Sequence, residues 1–155
     1  MIPYTSLTDG KVTLRPFQYA DAPDLYAAVR ESLADLKPWM AWARDGYLPR
    51  DASDFIALAR AKWEEGEHYG FSITDADTGG FIGGCSLSSL HRVYHFCNLG
   101  YWVRSGRRGQ GLAGRAARLA ARFAMTRLQM VRVEVVVQFT MAPVVASKPV
   151  AGAQV

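Results

Sequence analysis

Residues 98–138 set the tightest limit on what this chain can fold into. A strand-like run, Asn98 to Val103, ends in the turn Arg104-Ser-Gly-Arg-Arg-Gly-Gln-Gly111. An amphipathic segment from Gly111 to about Met125 follows, then the apolar run Val131 to Gln138. Leu112, Ala116, Leu119, Ala120 and Phe123 recur at helical spacing, with Arg115, Arg118 and Arg122 on the opposite face. Strand, helix, strand in that order is a β-α-β crossover, so its two strands lie parallel and the connection is right-handed.

The rest of the chain turns differently. Lys11 to Pro16 alternates like a short strand that Pro16 ends. Asp21 offers an N-cap with Pro23 in the first turn, and Ala22, Leu25, Tyr26 and Val29 form a helical stripe. Leu36 to Ala43 breaks the pattern with Pro38 and two tryptophans. A second helix is expected from Asp51, with Phe55, Leu58, Ala59 and Trp63 as its apolar face. Tyr69–Thr74 and Phe81–Leu87 read as a hairpin about the turn Asp75–Gly80. The order β-α-α-β-β-β-α-β predicts one α+β domain over residues 1–155, a mixed and mostly antiparallel sheet flanked by helices in three layers. After Gln138 the pattern decays, and 139–155, with Pro143 and Pro149, is atypical.

Half of the 155 residues are hydrophobic, enough for a real core, and no apolar run approaches the ~18 residues of a membrane span. The N-terminus shows no basic-then-apolar signal pattern. Cys85 and Cys97 lie in apolar, strand-like context and read as buried thiols of a reduced, cytoplasmic protein. Charge is unevenly spread: residues 1–77 hold 13 acidic and 8 basic residues, residues 78–155 one and 10. Such a basic half attracts a polyanion, be it nucleic acid or an anionic cofactor.

Three phosphate-binding patterns compete for Gly106 to Arg115. A Walker loop needs Lys then Ser or Thr after its last glycine, and Leu112 and Arg115 stand there instead. Gly109-Gln-Gly-Leu-Ala-Gly114 fits the dinucleotide fingerprint, with Glu134 about twenty residues on as the ribose acid. Glu134 lies inside a strand rather than at its end, and the further parallel strands are missing. The third pattern is Arg108-Gly-Gln-Gly-Leu-Ala113. With Val12-Thr-Leu-Arg-Pro-Phe17, Leu36-Lys-Pro-Trp-Met-Ala-Trp42, Phe81-Ile-Gly-Gly84 and Leu99-Gly-Tyr-Trp-Val103, it makes nearly the whole chain resemble the GNAT superfamily of acyl-CoA N-acyltransferases, most closely the RimJ/RimL type.

The resemblance implies acetyl-CoA as co-substrate, no metal, and acyl transfer to a primary amine, above all a protein N-terminal α-amine such as a ribosomal protein's. It places the coenzyme on Trp102, Val103, Arg104, Arg107, Arg108, Gly109, Gln110, Gly111, Leu112, Ala113, Gly114 and Arg115. Backbone N–H groups from about Arg108 to Gly114 would cradle the diphosphate at a helix N-terminus. The strand end at 102–104 would splay from 131–138, and the amide near Val103 would polarise the thioester carbonyl. Trp39, Trp42 and Ser86 are the acceptor-side candidates, and Tyr101 and Asn98 the catalytic ones; His68 is a further residue that could touch the acceptor. His91, His95 and Cys97 have metal-compatible spacing, but no carboxylate stands near them and no metal is expected.

The chain also departs from the family. Asn98 stands where this branch often carries a glutamate base, and an amide cannot take a proton. Met141 and Val144 fall where the family has Asn and Ser before a CoA-contacting helix, with Pro149 inside it. The closing hairpin after Gly152-Ala153 is missing, so the last strands are expected to be absent. The expectation is an altered or truncated member with an intact coenzyme turn, or one whose sheet edge a second copy completes. A catalytically silent CoA-binding or subunit-interaction protein, and a basic RNA- or ribosome-associated module, are the alternatives.

Overall fold

One sheet runs through the whole molecule, and its strands lie side by side in chain order. The structure, a computed structural model, describes residues 2–135 and the backbone of 144–147. The strands are β1 (Leu7–Thr8), β2 (Val12–Pro16), β3 (Tyr69–Asp75), β4 (Phe81–His91), β5 (Phe96–Val103), β6 (Arg132–Val135) and β7 (Val144–Ser147). The helices are α1 (Ala22–Glu31), α2 (Leu33–Leu36), α3 (Pro49–Glu65) and α4 (Leu112–Arg127). Only β5 and β6 are parallel, joined by α4, with Phe96 opposite Arg132 and Leu99 opposite Val135. The mixed, mostly antiparallel sheet expected from the sequence is therefore present.

Two apolar clusters hold the layers. α4 packs Leu112, Ala116, Leu119, Ala120 and Phe123 onto Leu14, Phe71, Leu87, Leu99 and Val133 of the sheet. Leu25, Val29, Ala52 and Ile56 of α1 and α3 join Phe17 and Phe81 in the second cluster, against which Trp102 packs. Side chains alternate along a strand, so Leu99 and Trp102 face opposite sides of β5 and the clusters flank the sheet. Trp63, at the end of α3, joins the α4 side through edge-on contacts with Tyr69 and Phe71 at 4.9 and 5.1 Å. Such aromatic pairs contribute about 0.5–1.5 kcal/mol beyond their burial.

Several local expectations are corrected. Asp21 does not cap α1 with its side chain; it is buried and bidentate to Arg15 at 2.7 and 2.8 Å, and accepts the Gln18 amide. α3 begins at Pro49, and its buried stripe is Ala52, Ile56, Ala59 and Trp63. Phe55 and Leu58 are 41% and 58% exposed, because the stripe that runs i, i+4, i+7 and i+11 from Ala52 to Trp63 leaves both off its face. The strand expected to Gln138 is seen as β6, and residues 136–138 lie outside the described residues. Val144 belongs to β7, which pairs antiparallel with β6, rather than to a region before a helix. β7 thus covers the outer edge of β6 within the chain. Met141, Pro149, Gly152 and Ala153 lie outside the described residues.

β4 and β5 approach so closely that their glycines are required. A Cβ at Gly83 would lie 2.0 Å from the Trp102 carbonyl oxygen, and one at Gly84 would lie 2.7 Å from Trp102 Nε1. The Trp102 indole therefore rests on the bare backbone of Gly84. Gly83→Ala must push backbone apart, whereas Gly84→Ala displaces only a side chain. The expected losses are about 3 kcal/mol or more for Gly83→Ala and about 1–2 kcal/mol for Gly84→Ala. Urea unfolding of both variants checks this; equal losses would contradict the register.

Candidate active site

The junction of α1 and α2 grips the turn after β5. Ser32 is buried, and its Oγ accepts the Ser105 amide at 2.9 Å. Glu31 accepts the Gly106 amide at 2.9 Å and pairs with Arg104 at 2.9 Å. Arg104 also donates to the Phe81 carbonyl at 3.0 Å. Asp35 accepts from Ser105 Oγ and pairs with Arg108 at 3.1 Å. Arg107 pairs with Asp75, and Arg115 with Asp9, at 3.1 and 3.0 Å. Four arginines of the basic half are thereby matched by four carboxylates of the acidic half. Arg118 and Arg122 are exposed and meet no carboxylate among the described residues.

What the turn leaves unsatisfied is backbone. Gly109 and Gly111 have φ of +75° and +73°, the left-handed region that glycine enters at least cost. Gly111 is the N-cap of α4, no side chain caps the helix, and its first turn holds no acid. The amides of Leu112, Ala113 and Gly114 therefore lack intrahelical acceptors at the positive end of a 16-residue helix. A Cβ at Gly109, Gly111 or Gly114 would meet no protein atom within 4 Å. The space around this turn is open.

That helix start borders a cavity of about 570 Å³, which also reaches Trp39, Asn98, Tyr101 and Val103. The Arg104 amide donates to the Ile82 carbonyl at 2.8 Å, so alternate amides, Trp102 included, face β4. Those of Tyr101 and Val103 face the other way, the side on which Leu99 pairs with Val135 of β6. Among the described residues no strand pairs with that edge beyond Leu99.

Of the residues singled out from the sequence, Trp39, Asn98, Tyr101, Trp102, Val103 and Arg107 line this cavity. So do Arg108, Gly109, Gly111, Leu112 and Ala113. Arg104, Gln110, Gly114 and Arg115 adjoin it in the chain without lining it. Trp42 lines a second cavity on the far side of Trp102. Ser86 does not line the cavity, whereas Ser88 does and stands opposite Asn98. Sequence alternation puts both serines on one face but cannot say how far the cavity extends. His68 lines a separate depression on α3, away from Tyr101, where burial lowers its pKa.

Asp35, Leu36 and Met40 also line the main cavity; Leu36 and Met40 lie in the tryptophan segment that carries the resemblance, and only Asp35 was marked by no motif. Glu134 stands opposite Asn98 in the parallel ladder, so the two share a face of the sheet. It pairs with Arg132 at 3.0 Å and stays partly exposed. Cys85 and Cys97 are both buried, and burial pushes their thiols up to about 12 and about 11. Neither is a nucleophile at neutral pH. No cluster of His, Cys, Asp or Glu among the described residues could hold a metal ion, and no helix there is long and apolar enough to cross a membrane.

Comparison with known proteins follows this geometry. A family model described as an acetyltransferase (GNAT) domain matches residues 11–140. No curated protein matches the chain. Among solved structures, the chain is similar to a protein assigned as a ribosomal-protein-serine acetyltransferase from Vibrio cholerae, at 25% identity and a TM-score of 0.76 over 87% of this chain and 75% of that one. It is similar to RimL, a ribosomal alpha-N-protein acetyltransferase solved with coenzyme A, at 15% identity and 0.77 over 84% and 73%. A microcin self-immunity acetyltransferase, MccE, solved with acetyl-CoA and AMP, gives 17% and 0.75 over 83% and 69%.

The ion pairs of the turn make a pH prediction. The Arg104 guanidinium and then the Gly106 amide hold Glu31 below its usual pKa of 4.5. A depressed folded pKa contributes stability above the unfolded value and loses it as the pH falls through the folded one. Glu31→Gln should therefore lower the urea midpoint at pH 7, and the gap to wild type should close as the pH falls well below 4.5. A gap that stays constant to pH 2.5 (roughly two units below the usual glutamate value) would contradict the pairing.

Proposed function

The chain belongs to the GNAT acetyltransferase family, and from that premise we propose that it is an acetyl-CoA-dependent N-acetyltransferase whose acceptor is a protein N-terminal α-amine. The observation that carries this reading is the uncapped start of α4, opening on the same cavity as Tyr101 and Val103 of β5. Acetyl-CoA fits the donors present. A diphosphate needs converging N–H groups and room for close approach, and the turn from Gly109 to Gly114 offers both. Acetyl-CoA would supply an acetyl group already activated as a thioester.

The residues of the chain then have distinct tasks. The amides of Gly111 to Gly114 hold the diphosphate, with a helix-end contribution of about 0.3–1 kcal/mol. Arg107, Arg108 and Arg115, expected to bind phosphate directly, are engaged with Asp75, Asp35 and Asp9, so they tune the field around the amides. The Val103 amide, turned away from β4, donates to the thioester carbonyl as negative charge develops there. The acceptor nitrogen bonds the acetyl carbon, the C–S bond breaks, and the coenzyme leaves as its thiol.

The amine must lose a proton in that step. Asn98 cannot accept it. Glu134, beside Asn98 in the ladder and open to solvent, is positioned to take it through water. The silent CoA-binding reading draws on Asn98; Glu134 answers it with a carboxylate one strand away. The names of the neighbours support a ribosomal-protein acceptor and, with it, a place in the cytoplasm. The RNA-associated reading is disfavoured by the pairing of the turn's arginines with the chain's own carboxylates.

Calorimetry with acetyl-CoA tests the coenzyme turn. Gly111→Asn keeps a residue that tolerates positive φ but adds a side chain at the cavity. It should weaken acetyl-CoA at least ~10-fold, about 1.4 kcal/mol. Gly66→Asn, at φ +72° at the C-cap of α3 and away from the cavity, should leave affinity unchanged. Equal affinity in the two variants would move the coenzyme elsewhere. Glu134→Gln should lower the acetylation rate at unchanged acetyl-CoA affinity. An unaltered rate would take Glu134 out of the proton path.

A further inference from the structure

Trp102 divides two cavities. On one side lies the coenzyme cavity; on the other is a space of about 260 Å³ lined by Trp42, Arg44, Tyr47, Asp51, Asp54, Phe55 and Trp102. The Trp42 ring stands 5.9 Å from that of Trp102 and 6.3 Å from that of Tyr47, so three rings form one wall. Asp51 already accepts the Leu48 amide at 2.7 Å and faces Arg44 at 3.4 Å. Asp54 is exposed and makes no hydrogen bond or ion pair among the described residues. One uncompensated carboxylate beside aromatic faces is the chemistry that recognises an organic cation.

We propose that this second cavity receives a basic side chain, Lys or Arg, of the acceptor peptide while its N-terminal amine reacts on the other side of Trp102. The inference rests on the N-acetyltransferase reading above. Charge selects the ligand. Arg44 is neutralised by Asp51, which leaves Asp54 to set the local sign. The surroundings favour a peptide over a free diamine. Trp39, Trp42, Phe55 and Leu58 are 37%, 41%, 41% and 58% exposed around the two cavities, more apolar surface than a small diamine could cover. The Tyr47 phenol, pushed up to about 12 by burial and then by the Asp51 charge, stays protonated, and its neutral oxygen can accept a hydrogen bond from the cation. Trp102 is the shared wall, so filling one cavity is felt in the other.

The test uses two hexapeptides free of aromatic residues that differ only in lysine or norleucine at the second position. Trp42 and Trp102 report occupancy through their fluorescence. The wild-type chain should bind the lysine peptide at least ~10-fold tighter, and Asp54→Asn should reduce that preference to about twofold or less. Acetyl-CoA affinity by calorimetry should match in the two proteins, since Asp54 does not border the coenzyme cavity. Equal binding of both peptides, or a preference that survives Asp54→Asn, overturns the inference. So does 1,4-diaminobutane binding as tightly as the lysine peptide and displacing it, which would make the cavity a diamine site. Failure of the wild-type chain to bind acetyl-CoA would instead strike the reading on which the inference rests.

Discussion

The structure depends on how the acidic first half of the chain satisfies the basic turn of the second half. Glu31, Ser32 and Asp35, at the α1–α2 junction, take up the Ser105 and Gly106 amides, the Ser105 hydroxyl and two guanidinium groups. Single exposed ion pairs contribute little, about 0–1 kcal/mol each. Here they act with a buried serine and backbone amides, so together they fix where the turn starts. With the arginines matched, the unsatisfied donors are the main-chain N–H groups of Gly111 to Gly114. An anion is then held by backbone geometry more than by net charge.

Trp102 links that turn to the rest of the site. Its indole can lie flat because Gly84 has no side chain, and it stands next to Val103, whose amide faces away from β4. A shift in the β4–β5 register would therefore move the cavity wall and the amide proposed to polarise the thioester together. The Gly83-Gly84 pair thus belongs as much to the site as to the sheet.

The sequence made the strand, turn and helix from Asn98 to Met125 legible because their signals are local: alternation, glycines at positive φ, and a helical apolar stripe. Gly109 and Gly111 do sit in the left-handed region, and Leu112 to Phe123 do form the buried face. What stayed hidden was long-range. Glu31 meets Arg104 across 73 positions, and no spacing rule announces such a pair. Phe55 and Leu58 misled because size suggested burial, whereas the period placed Ala52 and Ile56 inward. Asp21 looked like a cap because its type and position suit one, but the Arg15 fork outcompeted the helix amides for its oxygens. Glu134 was weighed only as a ribose ligand; its place beside Asn98 follows from a parallel register that sequence does not fix.

The central claim is that free backbone amides at the start of α4 grip the coenzyme's diphosphate. Amide resonances recorded during a titration with coenzyme A test it most directly. The account predicts large downfield shifts for Gly111, Leu112, Ala113 and Gly114, with smaller changes at Val103 and none at Gly66, the C-cap of α3. Saturable binding that leaves those four amides unmoved would contradict it.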